Sequence, residues 1–338
     1  MPGTTTKKKT YVLRTCDADM RSYGGFRWPE SGPVEAPDWS PESSCGDGLH
    51  GLRMGQGAGA LLSWEADAKW LVVEVLAADV VDLGGKVKFP RGNVVFCGDQ
   101  RGATDFLGAL GAVDIIGATV VAGNHGTATA GYRGTATAGD FGTATAGDRG
   151  TATAGALGTA TAGALGTATA GYSGTAIAGY LGTATAAGDH GTATAGDFGT
   201  ATAGDRGTAT AGALGTATAG ALGTATAGYS GTAIAGYLGT ATAAGDHGTA
   251  IAGYRGTATA AGNHGTATAG YRGTATAGYS GTATAGYGGT ATAGDLGTVC
   301  IWWFDANRRR LAVGCVGENG IKPGVAYRCD DAGRLVEA

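Results

Sequence analysis

Two sets of residues in this 338-residue chain have the types and spacing to do chemistry. The first is a group of four histidines in an array that otherwise counts in eights. Each closes a nine-residue unit: GATVVAGNH (117–125), GTATAAGDH (182–190), GTATAAGDH (239–247) and GTATAAGNH (256–264). His125, His190, His247 and His264 each follow Asp or Asn, and they are every histidine in the chain but His50. An imidazole beside a carboxylate can ligate a metal or switch charge near neutral pH. The second set is Arg14, His50 and Glu74: a basic residue on an early strand, a His in the Gly-rich loop CGDGLHG and a Glu on a later strand. Nucleotide-transferring folds sometimes use that pattern. No phosphate loop, nucleophile elbow or zinc spacing accompanies it. His50 also reads as a packing histidine, and Glu74, alternating with valines, as a solvent-facing strand residue.

What positions the first set is the array itself. From Gly126 the units run GTATAGYR, GTATAGDF, GTATAGDR, GTATAGAL and onward to Leu296. The block Gly139–Ala193 recurs unchanged as Gly196–Ala250, so the array has grown by duplication. T-A-T-A alternates β-branched and small residues at period two, the pattern of a strand with two different faces. Gly and β-branched Thr at this density exclude a helix, and the flanking G-x-x-G predicts a turn in which Gly supplies positive φ. A β-solenoid follows, with two octads in each flattened coil of about 16 residues. Alanine inward gives a dry core, whereas inward Thr would bury hydroxyls at about 1–3 kcal/mol for each one left unpaired. Thr is therefore expected outside, with Ile177, Ile234 and Ile251 standing on that outer face. One unit cannot be stable alone: a buried methyl is worth about 0.8 kcal/mol, against roughly 8–16 kcal/mol to order eight residues. Hydrogen bonding from coil to coil must hold the array.

Half-coil counting then places the histidines. His125 and His190 fall on one edge, four coils or about 19 Å apart. His247 and His264 fall on the other, one coil or roughly 4.8 Å apart. Two His with Asp246 and Asn263 make an incomplete ligand set, so no metal or cofactor is expected. The ninth residue reads as a longer turn or bulge that leaves strand parity intact, with Asp/Asn-His suited to a left-handed or side-chain-capped turn. The tyrosines (Tyr132, Tyr172, Tyr180, Tyr229, Tyr237, Tyr254, Tyr271, Tyr279, Tyr287) fall on both parities, which predicts no uninterrupted tyrosine ladder.

All six Trp lie outside the array. Three segments result: an α+β amino-terminal capping domain (1–116), the solenoid (117–297) and a β-rich carboxy-terminal cap (298–338). In the first, TYVLRT, KWLVVEVLA, VVDLG and NVVFCGD read as strands and ATDFLGALGA (103–112) as a helix. In the last, TVCIWWF, LAVGCVG and AYRCDDAGRLVEA read as short strands whose aromatics close the thin core. The net charge of −4 offers no case for nucleic acid or an anionic membrane. MPGTTTKKKTYVLRT lacks an apolar run, and no stretch of about 18 apolar residues exists, so neither a secretory signal nor a membrane span is expected. Six scattered cysteines without C-x-x-C suit a reducing cytoplasm.

The run AGYSGTATAGYGGTATAGDLGT (277–298) resembles the central repeats of bacterial ice-nucleation proteins, which alternate an A-G-Y-G type turn with a Thr-x-Thr strand in 16-residue coils. The resemblance implies a solenoid whose threonine faces order water or bind ice. The flanks YVLRTCDADM, WPESGPVEAPDW, CGDGLHG, WLVVEV and DLGGKVKFPRG are similar to an uncharacterised domain of bacterial and phage proteins found beside such arrays, which implies a bacterial or phage origin and no activity. The expected function is a non-catalytic scaffold presenting Thr-x-Thr surfaces to ice or ordered water. The residues expected to carry it are Thr127, Thr129, Thr135, Thr137, Thr143, Thr145, Thr151, Thr153, Thr159, Thr161, Thr167 and Thr169, with Thr266, Thr268, Thr274, Thr276, Thr282 and Thr284. The alternative is a structural or partner-binding solenoid, self-associating through the turn Tyr and Leu residues, with an enzymatic amino-terminal domain using Arg14, His50 and Glu74.

Overall fold

The computed structural model describes residues 8–338; residues 1–7 of the basic start lie outside the described residues. The chain forms two compact units, one reaching Val121 and including Ala128–Ala136, the other comprising Ala122–Thr127 and Thr137–Ala338.

In the first unit, seven strands form one antiparallel sheet: β1 (Lys9–Cys16), β2 (Gly32–Glu35), β3 (Leu49–Arg53), β4 (Lys69–Leu76), β5 (Val81–Asp82), β6 (Val87–Phe89) and β7 (Arg91–Gly98), in the order β2-β7-β4-β1-β3-β6-β5. Alternation along β1 splits its apolar residues between two cores. Val12 and Cys16 pack with Trp28, Val73 and Phe89, and Leu13 packs with Leu52, Trp70 and Leu107. Each fully buried leucine is worth roughly 2 kcal/mol. The expected strands are present, and Gly32–Glu35, Leu49–Arg53 and Val87–Phe89 add to them.

The helix, α1, is Gln100–Ala109 rather than 103–112. Its start is set by Asp99, whose carboxylate accepts the Gly102 N–H at 2.8 Å as an N-cap. Its end is set by Gly111, at φ 84°.

The second unit is the solenoid. Four-residue strands from Thr143–Ala146 to Thr290–Ala293 pair in parallel with every second neighbour, making two sheets. Thr143 is opposite Thr159 and Ala144 opposite Ala160, and the same match holds for each coil. Coils of 16 residues therefore follow. The repeat alanines are buried and the threonines stand half-buried to exposed on the outside.

Across the nine-residue units the match is unchanged. Thr175 is opposite Thr192, and Thr232 is opposite Thr249. The extra residue is absorbed in the turn, and strand parity survives.

The turns depart from expectation. Past Gly117 (74°), positive φ does not fall on the flanking glycines but on the second variable residue, as at Phe141 (56°), Leu181 (54°) and His190 (61°); Gly288 (69°) is the repeat glycine that occupies this position. The glycines are required for a different reason, close approach. A Cβ on Gly158 would lie 2.9 Å from the Ala154 Cβ and from the Gly142 carbonyl oxygen. Neighbouring coils are stacked too closely there for any side chain. The left-handed residues cost roughly 1–2 kcal/mol each, offset in part by bonds between coils such as the His190 N–H to the Asp205 carbonyl at 2.9 Å.

Past the repeat, Thr298–Asp305 pairs in parallel with Thr282–Ala285, then turns back antiparallel through Arg308–Cys315. Val299 and Ile301 occupy the places of Ala283 and Ala285 and are fully buried. On the other sheet Ala326–Cys329 pairs antiparallel with the last repeat strand, with the buried Tyr327 opposite Ala291. Aliphatic side chains and Tyr327 thus end the alanine core. Trp302 instead lies half-buried beneath the Arg309 guanidinium, 3.8 Å from it.

Candidate functional site: the threonine faces and turn edges

Each sheet of the solenoid carries two ranks of outward threonines. Those at the first strand position run without a break, from Thr143 through Thr208 to Thr290 on one face and from Thr151 through Thr216 to Thr282 on the other. Successive hydroxyls along a rank are about 4.8 Å apart, and the two ranks of a face about 6.7 Å apart. At the second position Ile177 interrupts the first face once. Ile234 and Ile251 interrupt the other in adjacent coils. The faces are therefore not equivalent, and the one bearing Thr143, Thr145, Thr159 and Thr161 is the more regular. Thr127, Thr129, Thr135 and Thr137 also occupy outward strand positions, as do Thr151, Thr153, Thr167, Thr169, Thr266, Thr268, Thr274, Thr276, Thr282 and Thr284.

The turn edges carry a second pattern, which sequence reading expected at the Asp/Asn-His turns and missed in the octads. Asp140 Oδ1 accepts the backbone N–H of Ala156, one coil further on, at 2.8 Å. Asp148, Asp197 and Asp205 do the same for Ala164, Ala213 and Ala221. In the nine-residue units Asp246 caps Asn263 in this way. Aspartate is thus the cap and the residue after it, His or Phe or Arg, is the left-handed one. The signal was available: Asp occurs in the array only at the first turn position of its unit.

The histidines lie where counting puts them. His125 and His190 are on one edge, and His247 and His264 stack on the other with 5.2 Å between ring centroids. Tyr229 and Tyr279 pack edge-on against the two ends of that pair. Among the described residues no three His, Cys, Asp or Glu side chains converge as a metal site. On the opposite edge Tyr237, Tyr254 and Tyr271 stack at 5.4 and 5.2 Å, and Tyr287 continues the run at 5.8 Å. A local tyrosine ladder therefore exists, although, as expected, none runs uninterrupted through the array. Mixed parity over the whole array still allows one parity to be filled by Tyr over consecutive coils.

The amino-terminal candidates divide. β1 and β3 pair at Val12–Arg53 and Leu13–Leu52 and then part. The Arg14 guanidinium fills the opening, donating to the His50 carbonyl at 3.0 Å and to the Thr15 carbonyl at 3.4 Å, with its face 4.0 Å from the Trp28 ring. Arg14 and His50 line one cleft of about 970 Å³. Glu74 lies on another, paired with Lys9 at 2.7 Å and accepting from the Tyr11 hydroxyl at 3.3 Å. The three do not form one constellation.

Fold and faces together define a two-sided β-solenoid with threonine-lined surfaces, and the chain is similar to bacterial ice nucleation proteins. It is 45% identical over 106 residues to an ice nucleation protein of Pseudomonas syringae, covering 31% of this chain and 9% of that protein. The values for an ice nucleation protein of Xanthomonas campestris pv. translucens are 42% over 104 residues, 30% and 7%. For ice nucleation protein InaU of Pantoea ananas they are 41% over 101 residues, 29% and 10%. The chain thus matches a tenth or less of the length of these relatives. Residues 10–107 match a family model described as a domain of unknown function, DUF7666. No solved structure matches the chain.

Proposed function

We infer that the protein is a non-catalytic repeat scaffold whose threonine faces bind ice or an ice-like layer of water. The carrying observation is the unshifted Thr-on-Thr register, which the nine-residue units leave intact. A rigid lattice of hydroxyl and methyl groups at about 4.8 by 6.7 Å presents water with a fixed pattern rather than a mobile surface. Similarity to ice nucleation proteins supports the same reading. The working face is the one with the single interruption at Ile177. Residues 298–338 act as the cap of the array, because their strands continue both sheets and then fold back. All six cysteines are free, which supports a reducing, cytoplasmic location. The test is growth arrest and shaping of ice crystals, together with droplet freezing, at high protein concentration. Absence of thermal hysteresis, crystal shaping and raised freezing temperature would end the ice assignment.

A second reading rests on a separate observation. Leu165, Leu181, Phe198 and Leu214 stand in consecutive coils of one edge, each nearly half exposed. This apolar column supports self-association through the turns, which analytical ultracentrifugation of Leu181→Ser beside the unaltered protein would detect.

A further inference from the structure

The cleft at the parting of β1 and β3 holds unmet hydrogen-bond donors and positive charge. The Arg14 bonds, to the carbonyls of His50 and Thr15, engage three of the five guanidinium N–H groups and leave two free. Trp28 is buried and lines the cleft, and its Nε1 has no partner. The Nε2 of His50 is likewise buried without a partner. Lys88 stands directly across the ladder from His50, buried, with the Ser44 carbonyl as its acceptor at 3.0 Å. Lys86 reaches the cleft from the same hairpin and donates to the Cys45 thiol at 2.8 Å.

No carboxylate closes on these cations. Among the described residues the ion pairs use neither Arg14 nor Lys86 nor Lys88. Two acids line the cleft, Asp38 and Asp47; an oxygen of Asp38 is engaged by the Gly48 N–H at 3.0 Å, and Asp47 is exposed. Burial and then the nearby Lys86, Arg14 and Lys88 charges hold the His50 imidazole below its ordinary value. A buried cation without a counter-charge is costly, and leaving a buried donor unpaired adds to the cost. Both are relieved by one kind of occupant, an anion rich in acceptor oxygens.

We propose that this cleft binds a phosphate-type oxyanion, held by the free guanidinium N–H groups of Arg14 with Trp28 Nε1, the ammonium of Lys86 and, once it carries a proton, His50 Nε2. Arginine's planar fork matches such an anion in two bonds. The volume of about 970 Å³ exceeds what the anion alone fills, so the ligand is a phosphate ester of a small molecule. The site is independent of the threonine faces.

The test is isothermal titration calorimetry of the full chain with inorganic pyrophosphate and, separately, ADP. One saturable site with a sub-millimolar Kd for ADP is expected, weakened at least tenfold in Lys86→Ala and in His50→Ala, with an unchanged circular-dichroism spectrum. Lys86 is half-exposed, so its variant keeps the test open if His50→Ala fails to fold. ADP binding more tightly than pyrophosphate identifies an ester; equal affinities would overturn that part and leave an inorganic anion. The oxyanion site itself is overturned if neither probe binds at millimolar concentration, or if Lys86→Ala binds as the unaltered protein does.

Discussion

The imidazoles of His247 and His264 stack with 5.2 Å between centroids and 12° between planes, one coil apart on a single edge. Each stands at the left-handed turn position, at φ 58° and 56°. Such stacking needs no metal: His125 and Phe141, at the same turn position on the opposite edge, stack with 4.9 Å between centroids and 10° between planes.

The pair therefore should not act as a metal site. Added zinc, or removal of metal by EDTA, is expected to leave the melting temperature unchanged within about 1 °C. A saturable rise in zinc that is lost in His264→Ala would contradict this.

The aspartate caps should be measurable one at a time. Asp197→Ala removes the acceptor of the Ala213 N–H and is expected to destabilise by about 1 kcal/mol, as loss of a side-chain cap does. Asp295 makes no such bond among the described residues, so Asp295→Ala serves as the internal control and should leave stability unchanged in denaturant titration. Equal losses in both would show that turn carboxylates act only through charge.

Opposite effects are expected within one turn. Leu214, at φ 56°, becomes relaxed as glycine, and Leu214→Gly should stabilise by up to about 1 kcal/mol. In Gly215→Ala the new Cβ meets the Ala211 Cβ and the Gly199 carbonyl at 2.9 Å, and a loss of about 1–3 kcal/mol follows. Thermal unfolding of the two variants decides whether positive φ and close approach have been assigned to the correct residues.

Thiol reactivity should follow environment. Burial pushes the Cys16 thiol up to about 11, so it stays protonated and unreactive through pH 8. The Lys86 ammonium, bonded to the exposed Cys45, draws that thiol below its ordinary value. At neutral pH a larger share of it is therefore thiolate than in an ordinary cysteine. Iodoacetamide at pH 7 should label Cys45 well before Cys16, and Lys86→Ala should slow it several-fold; an unchanged rate would remove Lys86 from the account.

On the ice reading, completing the more regular face should improve it. Ile177→Thr restores the second rank between Thr161 and Thr194; raised thermal hysteresis is expected, and Thr208→Lys, a charge in mid-face, should abolish most of it. Nanolitre osmometry distinguishes a threonine lattice from a surface that merely resists aggregation.

Much of this was legible because period-two alternation and an exact repeat leave few folds open. Thr outside, alanine inside, two octads per coil and the histidine spacing all follow from counting. The turn conformation was not legible: Gly at two places suggested positive φ there, whereas stacking distance, which no single unit reveals, is what excludes a side chain. The parting of β1 from β3 was equally hidden. Arg14, His50 and Glu74 sit on strands of one sheet, but only the ladder register shows that Arg14 fills an opening while Glu74 pairs with Lys9 elsewhere.

The duplicated block spans an odd number of half-coils. Each copy is therefore turned over relative to its template: Phe141, Leu157 and His190 lie on one edge, and their copies Phe198, Leu214 and His247 on the other. Growth by such a step hands every edge residue to the opposite side while every threonine lands on a threonine. Lengthening the chain in this way dilutes any contact that depends on a particular edge and multiplies only what both faces share.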